Sequence, residues 1–135
     1  MGKITVYLAG PIAGATIKEG REKRSEIARS LSVRNIKPIS PLRHKTEDTV
    51  YRPKEIVDRD KMDIRRSDAI LCDYTRGDRA YIGTSMEIMY ADMKEIPVFV
   101  VAGDWAKDHY WIQAHATKVF SNSEEAAEYI LEFFH

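Results

Sequence analysis

Cysteine is all but missing from this 135-residue chain: Cys72 stands alone, so no internal disulfide can form, and a reducing, cytoplasmic setting is the natural expectation. Glycine and proline are sparse, at seven and five, and nowhere gather into a linker or a low-complexity tract. Neither charge sign is in excess, with 21 Lys+Arg against 21 Asp+Glu. That balance argues against a sequence-independent grip on a nucleic acid polymer, which needs surplus cations near phosphates. It leaves open a small anionic ligand, for which local charge suffices. No apolar run approaches the ~20 residues a bilayer span requires, and the first residues lack the apolar core and cleavage site of a signal peptide. What remains is a chain with 44% hydrophobic and 31% charged residues, the mixture of one compact domain over residues 1–135.

Short apolar runs alternate with longer amphipathic stretches. Residues 4–9 (ITVYLA) are β-branched and aromatic and stop at Gly10-Pro11, as a buried strand would. Residues 17–34 carry Ile27, Ala28 and Leu31 at helical spacing, and residues 36–39 form a second short strand. Residues 53–67 read as a helix with Pro53 in its first turn. Strands follow at 69–73, 96–102 and 118–120, with helices over about 83–94 and 123–134, the last capped by Ser123 with Glu124 and Glu125 near its start. Continuous rather than alternating apolar strands imply a parallel sheet covered on both faces. The expected architecture is a three-layer α/β sandwich, a flavodoxin-like five-stranded parallel sheet in the order 2-1-3-4-5. Ligands of such sheets bind beyond the C-terminal strand ends, near the switch point between strands 1 and 3. Residues 10–15, 73–85 and the loop after Ser40 must line that crevice.

Familiar motifs fail there. Gly10-Pro11-Ile12-Ala13-Gly14 lacks the spacing of a dinucleotide fingerprint, and residues 77–84 lack the lysine of a P-loop. His109 and His115 are six apart without a Cys/His cluster, so no metal site is expected. No G-x-S-x-G elbow of a serine hydrolase exists. A phospho-receiver would want an acid where Asp73 stands, but also an acidic cluster after strand 1, where the chain has Gly10 to Gly14 instead.

Three side chains invite chemistry. Ile56, Asp60 and Ile64 follow at i, i+4 and i+8, one stripe of a helix that must face the sheet. A carboxylate on that stripe is costly unless it is hydrogen-bonded or its pKa rises; the bland alternative pairs Asp60 with Arg59 or Lys61 in solvent. Glu87 has two readings. With Thr84 it forms a capping box, which needs no function; equally, the dipole of a helix N-terminus would keep it ionised as a nucleophile. Tyr7, late in strand 1, is either a core tyrosine or a hydroxyl reaching the crevice. Asp73 is suitably sited at the end of strand 3, and the basic Arg43-His44-Lys45 loop either is solvated or meets a phosphate or base edge.

Taken together, Tyr7-Leu8-Ala9-Gly10-Pro11, Asp60 eight residues ahead of Asp68, and the run from Gly83 through Glu87 to Ala91 resemble the nucleoside 2-deoxyribosyltransferase family. That family also includes nucleoside 5′-monophosphate N-glycosidases, and the likeness extends from about Tyr7 to Val101. The resemblance implies the flavodoxin-like fold. It implies Glu87 as the nucleophile at the anomeric carbon, Asp60 as the carboxylate serving the proton of the leaving base, and Tyr7 as the group orienting Glu87. The loop of Gly10, Pro11, Ile12 and Gly14 would cradle the sugar and, in monophosphate-cleaving members, the 5′-phosphate. Arg43, His44, Asp73, Tyr81, Gly83 and Ser85 complete the candidate substrate contacts.

The implied chemistry is that of a retaining glycosidase. Glu87 captures C1′, the base leaves with a proton from Asp60, whose pKa its apolar stripe would raise, and a second base takes the sugar. Water in place of that base would make the protein a hydrolase of (deoxy)nucleoside 5′-monophosphates, toward which Arg43, Lys45, Arg76 and Arg79 lean. A non-catalytic nucleotide-binding module is a further alternative. No metal or organic cofactor is implied. Six residues ahead of Glu87, transferases of the family tend to carry an Asp that reads the base and monophosphate glycosidases a Ser; this chain has Tyr81. Members usually form homo-oligomers with shared sites, so Trp105, Tyr110 and Trp111 either make that contact or pack on their own sheet. The expected partners are thus a nucleoside or nucleotide, a free base and further copies of the chain, in nucleotide salvage, with no membrane.

Overall fold

The computed structural model describes residues 3–11, 17–42, 51–79 and 81–135, and the side chains of 17–21 and 23 lie outside that description. Five strands and five helices alternate: β1 (Thr5–Ala9), α1 (Ile17–Ser32), β2 (Lys37–Ile39), α2 (Pro53–Arg65), β3 (Ala69–Tyr74), α3 (Ile82–Met93), β4 (Val98–Ala102), α4 (Tyr110–His115), β5 (Lys118–Phe120) and α5 (Ser123–Phe133). The sheet is parallel throughout and ordered β2-β1-β3-β4-β5, the flavodoxin-like arrangement expected from the sequence. Tyr7 pairs with Ile39 on one side and Ile70 on the other, and Ala9 lies beside Cys72.

Side chains alternate across the sheet, so each strand feeds two cores. Val6, Leu8, Leu71, Phe99 and Val101 pack against Ile27 and Leu31 of α1 and Ala126, Ala127 and Ile130 of α5. On the other face Tyr7, Ala9, Ile70, Cys72, Tyr74 and Val100 meet Ile64 of α2, Ile88 and Ala91 of α3 and Ile112 of α4. The strands are apolar on both faces because both are covered by helices.

Where element ends differ from expectation, backbone hydrogen bonding explains it. The Ile36 amide donates to Leu31 O (3.1 Å) and closes α1 through Asn35 at φ 62°, so the strand begins one residue later. The Ile96 amide likewise donates to Ala91 O (2.9 Å) with Glu95 at φ 59°, and Pro97 has no N–H to give; β4 therefore starts at Val98 rather than at Ile96. α5 is capped by Asn122, whose side chain accepts from the Glu125 amide at 2.9 Å, and not by Ser123. The Ser123 hydroxyl instead lies 3.2 Å from that of Ser30 on α1. α4 was not legible in the sequence: six mostly exposed residues bury only Ile112, too little to print a periodic stripe. No helix among the described residues is long and apolar enough to cross a membrane.

Candidate functional site

Tyr7 is the third residue of β1, fully buried, on the face covered by α2 and α3. Its hydroxyl donates to an Oε of Glu87 on α3. Residues eighty apart in sequence are thus joined by one hydrogen bond. Burial, above all, drives the Tyr7 pKa far above its ordinary value, and the negative charges of Glu87 and Asp60 push it the same way. The phenol therefore keeps its proton and donates it to the carboxylate. Asp60, half-buried on α2 between Ile56 and the buried Ile64, lies within electrostatic reach of Tyr7 and of Arg24. The structure thus brings Tyr7, Asp60 and Glu87 together on the face of the sheet covered by α2 and α3.

The capping-box reading of Glu87 falls. α3 begins at Ile82 with Tyr81 as its N-cap and no side-chain cap bond, while Thr84 is buried inside the helix. Glu87 is consequently the sixth residue of α3, beyond the first turn in which the helix dipole acts strongly. The Tyr7 hydroxyl is a donor that addresses its charge.

A family model described as nucleoside 2-deoxyribosyltransferase matches residues 6–127, a span that contains Tyr7, Asp60 and Glu87. The chain belongs to that family. Solved structures agree on the fold. A 2-deoxyribosyltransferase from Leishmania mexicana superposes with a TM-score of 0.69 at 20% identity, covering 96% of this chain and 97% of its own. One from Bacillus psychrosaccharolyticus gives 0.69 at 17%, covering 93% and 91%. A CMP N-glycosidase from Clostridium botulinum gives 0.62 at 12%, covering 97% and 99%. No curated protein matches the sequence itself.

For a nucleoside 2-deoxyribosyltransferase family member, the rest of the crevice is unevenly furnished. Gly10 follows β1 directly, its carbonyl accepting from Arg24 Nη2 at 2.9 Å, and Pro11 is partly exposed beside it. Asp73 is buried on the opposite face of β3 from Tyr7, and its Oδ1 accepts from the Thr75 amide (2.9 Å) and hydroxyl (2.6 Å), holding the chain as it leaves the strand. Tyr81 stacks on Tyr74 with ring centroids 4.5 Å apart and leans on Trp105 at 5.3 Å. The Tyr81 hydroxyl is spent on its own loop, donating to Arg76 O (2.9 Å) and accepting from Arg76 N (3.2 Å). Ser85 shares a 2.8 Å hydrogen bond with the Tyr74 hydroxyl, and a Cβ on the exposed Gly83 would meet nothing within 4 Å. Arg76 pairs with Asp78 at 2.8 Å, which offsets its charge toward a phosphate. Ile12, Gly14, Arg43, His44 and Lys45 lie outside the described residues.

Two polar side chains escaped the sequence reading. Asp63, one turn of α2 on from Asp60, is the more buried carboxylate of that helix. Arg24 of α1 is only 5% exposed. The signal for Arg24 was present: it precedes Ile27 and Leu31 at i+3 and i+7, on the apolar stripe of an otherwise charged helix. His109 and His115 form no pair, since each ring nitrogen Nδ1 engages Trp111, at its amide (3.2 Å) and carbonyl (2.7 Å) respectively. Among the described residues no group of three His, Cys, Asp or Glu could hold a metal ion.

Proposed function

We propose that this chain transfers 2-deoxyribose between bases, with Glu87 as nucleophile, Tyr7 as the hydrogen-bond donor that orients it, and Asp60 as the acid for the departing base. The observation that carries this reading is the Tyr7–Glu87 hydrogen bond beside Asp60 on the face of a parallel sheet covered by α2 and α3. A Glu87 oxygen forms the bond to C1′ while the C1′–N bond breaks; its electron pair stays with the base, which takes the Asp60 proton. A nitrogen of the incoming base then attacks C1′, the ester bond breaks, and Glu87 is restored as carboxylate while Asp60 regains a proton.

Deoxyinosine mixed with free adenine should yield deoxyadenosine, and Glu87→Ala should abolish that yield. Full turnover by Glu87→Ala would overturn the assignment. Deoxynucleoside 5′-monophosphates supplied alone form the second arm. Free base released from them, without transfer in the first arm, would replace the acceptor base by water and make the protein an N-glycosidase, the activity named for its Clostridium botulinum neighbour in fold.

The same proposal includes self-association. α3 turns Ile82 (77% exposed), Met86 (69%) and Met93 (75%) outward, and α4 exposes Tyr110 and Trp111. A helix apolar on its outer side in a chain of zero net charge favours a second copy as its cover.

A further inference from the structure

A helix begins with amides that no earlier turn can satisfy, so caps or packing must hold its first turn in place. α3 starts poorly supplied. Its N-cap, Tyr81, makes no side-chain cap bond, Gly83 is its second residue, and Ile82, Gly83 and Ser85 are all exposed. Glu87 projects from the next turn, so any play at this end of the helix reaches the carboxylate. One residue of β3 takes hold of that end twice. Tyr74, the last residue of the strand, is buried; its ring stacks on Tyr81 with centroids 4.5 Å apart and planes 15° from parallel, and its hydroxyl shares a 2.8 Å hydrogen bond with Ser85 Oγ. Trp105 backs both rings, at 5.3 Å from Tyr81 and 6.2 Å from Tyr74.

Tyr7 and Tyr74 lie on the same face of the sheet, and their hydroxyls meet oxygen atoms of α3 two residues apart, at Glu87 and Ser85. Two residues turn a helix by about 200°. Ser85 and Glu87 therefore flank the buried stripe of Thr84, Ile88 and Ala91 from opposite sides. A bond on one flank resists sliding but acts as a pivot for rolling, whereas bonds on both flanks oppose a roll in either direction. We propose that Tyr74 is a positioning residue of the site: through the Ser85 hydroxyl it fixes the rotation of α3, and so the aim of Glu87 at C1′. This rests on the reading of Glu87 as nucleophile.

The test separates the hydroxyl from the ring. Tyr74→Phe keeps the stack on Tyr81 and removes the bond, Ser85→Ala removes it from the other side at an exposed residue, and Ser85→Thr keeps a hydroxyl. The Tyr7 hydroxyl proton, moved downfield by its bond to a carboxylate and assigned by its loss in Tyr7→Phe, is followed by proton NMR alongside steady-state deoxyribosyl transfer. In Tyr74→Phe and Ser85→Ala the resonance should move upfield or broaden by exchange with water. In both, kcat should fall about tenfold with KM held within about twofold. The double variant should lose no more than either single one, because both remove the same bond. Ser85→Thr should restore the resonance and kcat. An unmoved resonance in folded Ser85→Ala, additive losses in the double variant, or a Ser85→Thr no better than Ser85→Ala overturns the proposal. Should Tyr74→Phe fail to fold, the two Ser85 variants decide it alone. The resonance needs no turnover, so an absence of glycosyl transfer would defeat the proposed function while leaving the role of Tyr74 separately decided.

Discussion

The Tyr7 hydroxyl and the Glu87 carboxylate are hydrogen-bonded across the interface between β1 and α3. A charged acceptor makes this bond worth about 1.5–3 kcal/mol, and loss of the donor leaves a half-buried carboxylate without it. Tyr7→Phe should therefore lower stability by about that amount in urea denaturation. Transfer activity should fall about 10²-fold, mostly in kcat, because the lost hydroxyl orients the nucleophile rather than gripping substrate. A Tyr7→Phe enzyme with unchanged kcat would contradict that role.

Alkaline pH should destabilise the fold from about pH 9 upward. Cys72, Tyr7 and Tyr74 all have pKa values raised by burial above their ordinary 9.0, 10.0 and 10.0. Below those ordinary values both folded and unfolded chains hold these protons, and the stabilisation is complete. Above them the unfolded chain sheds protons that the folded one retains, so stability falls as pH rises. Urea midpoints measured between about pH 8 and about pH 11 should trace this decline, with a shallower slope in Tyr74→Phe.

Glu95 closes α3 in the left-handed region, at φ 59°, where a side chain is strained. Glu95→Gly should raise stability by about 1 kcal/mol, read from thermal unfolding. Asn35→Gly, at the equivalent turn after α1 with φ 62°, should gain less, because asparagine tolerates that conformation.

Asn122 and Ser123 offer a direct comparison at the start of α5. Asn122→Ala removes the acceptor for the Glu125 amide and should cost about 1 kcal/mol in chemical denaturation. Ser123→Ala touches only the hydroxyl contact with Ser30 and should cost less.

The strand order was legible because it rests on local pattern, the continuous apolar strands, whereas the meeting of Tyr7, Asp60 and Glu87 was expected only from the family resemblance, since periodicity left the role of each open. What escaped depends on contacts across the fold. Whether Thr84 caps α3 turns on where the helix begins, and Tyr81, stacked on Tyr74, settles that one turn earlier than the motif suggests. Arg24 shares the stripe of Ile27 and Leu31, but what it meets there, the Gly10 carbonyl at the end of β1, is set by the fold and not by its neighbours in sequence. The local bonds of Asp73 and Tyr81 were equally illegible: the Asp73 carboxylate turns to Thr75, and the Tyr81 hydroxyl to Arg76.

α1, which carries Arg24, is clasped from behind by α5: Arg34 bridges to Glu124 (2.9 Å) and Glu128 (3.3 Å), and Ser30 donates to Glu124 (2.8 Å). The helix nearest the start of the chain thus takes its bracing from residues more than ninety positions downstream. During synthesis on the ribosome, Tyr7 and Arg24 emerge early, yet the clasp that steadies their layer closes only after Glu128 has left the exit tunnel. The clasp on α1 therefore waits for the synthesis of α5.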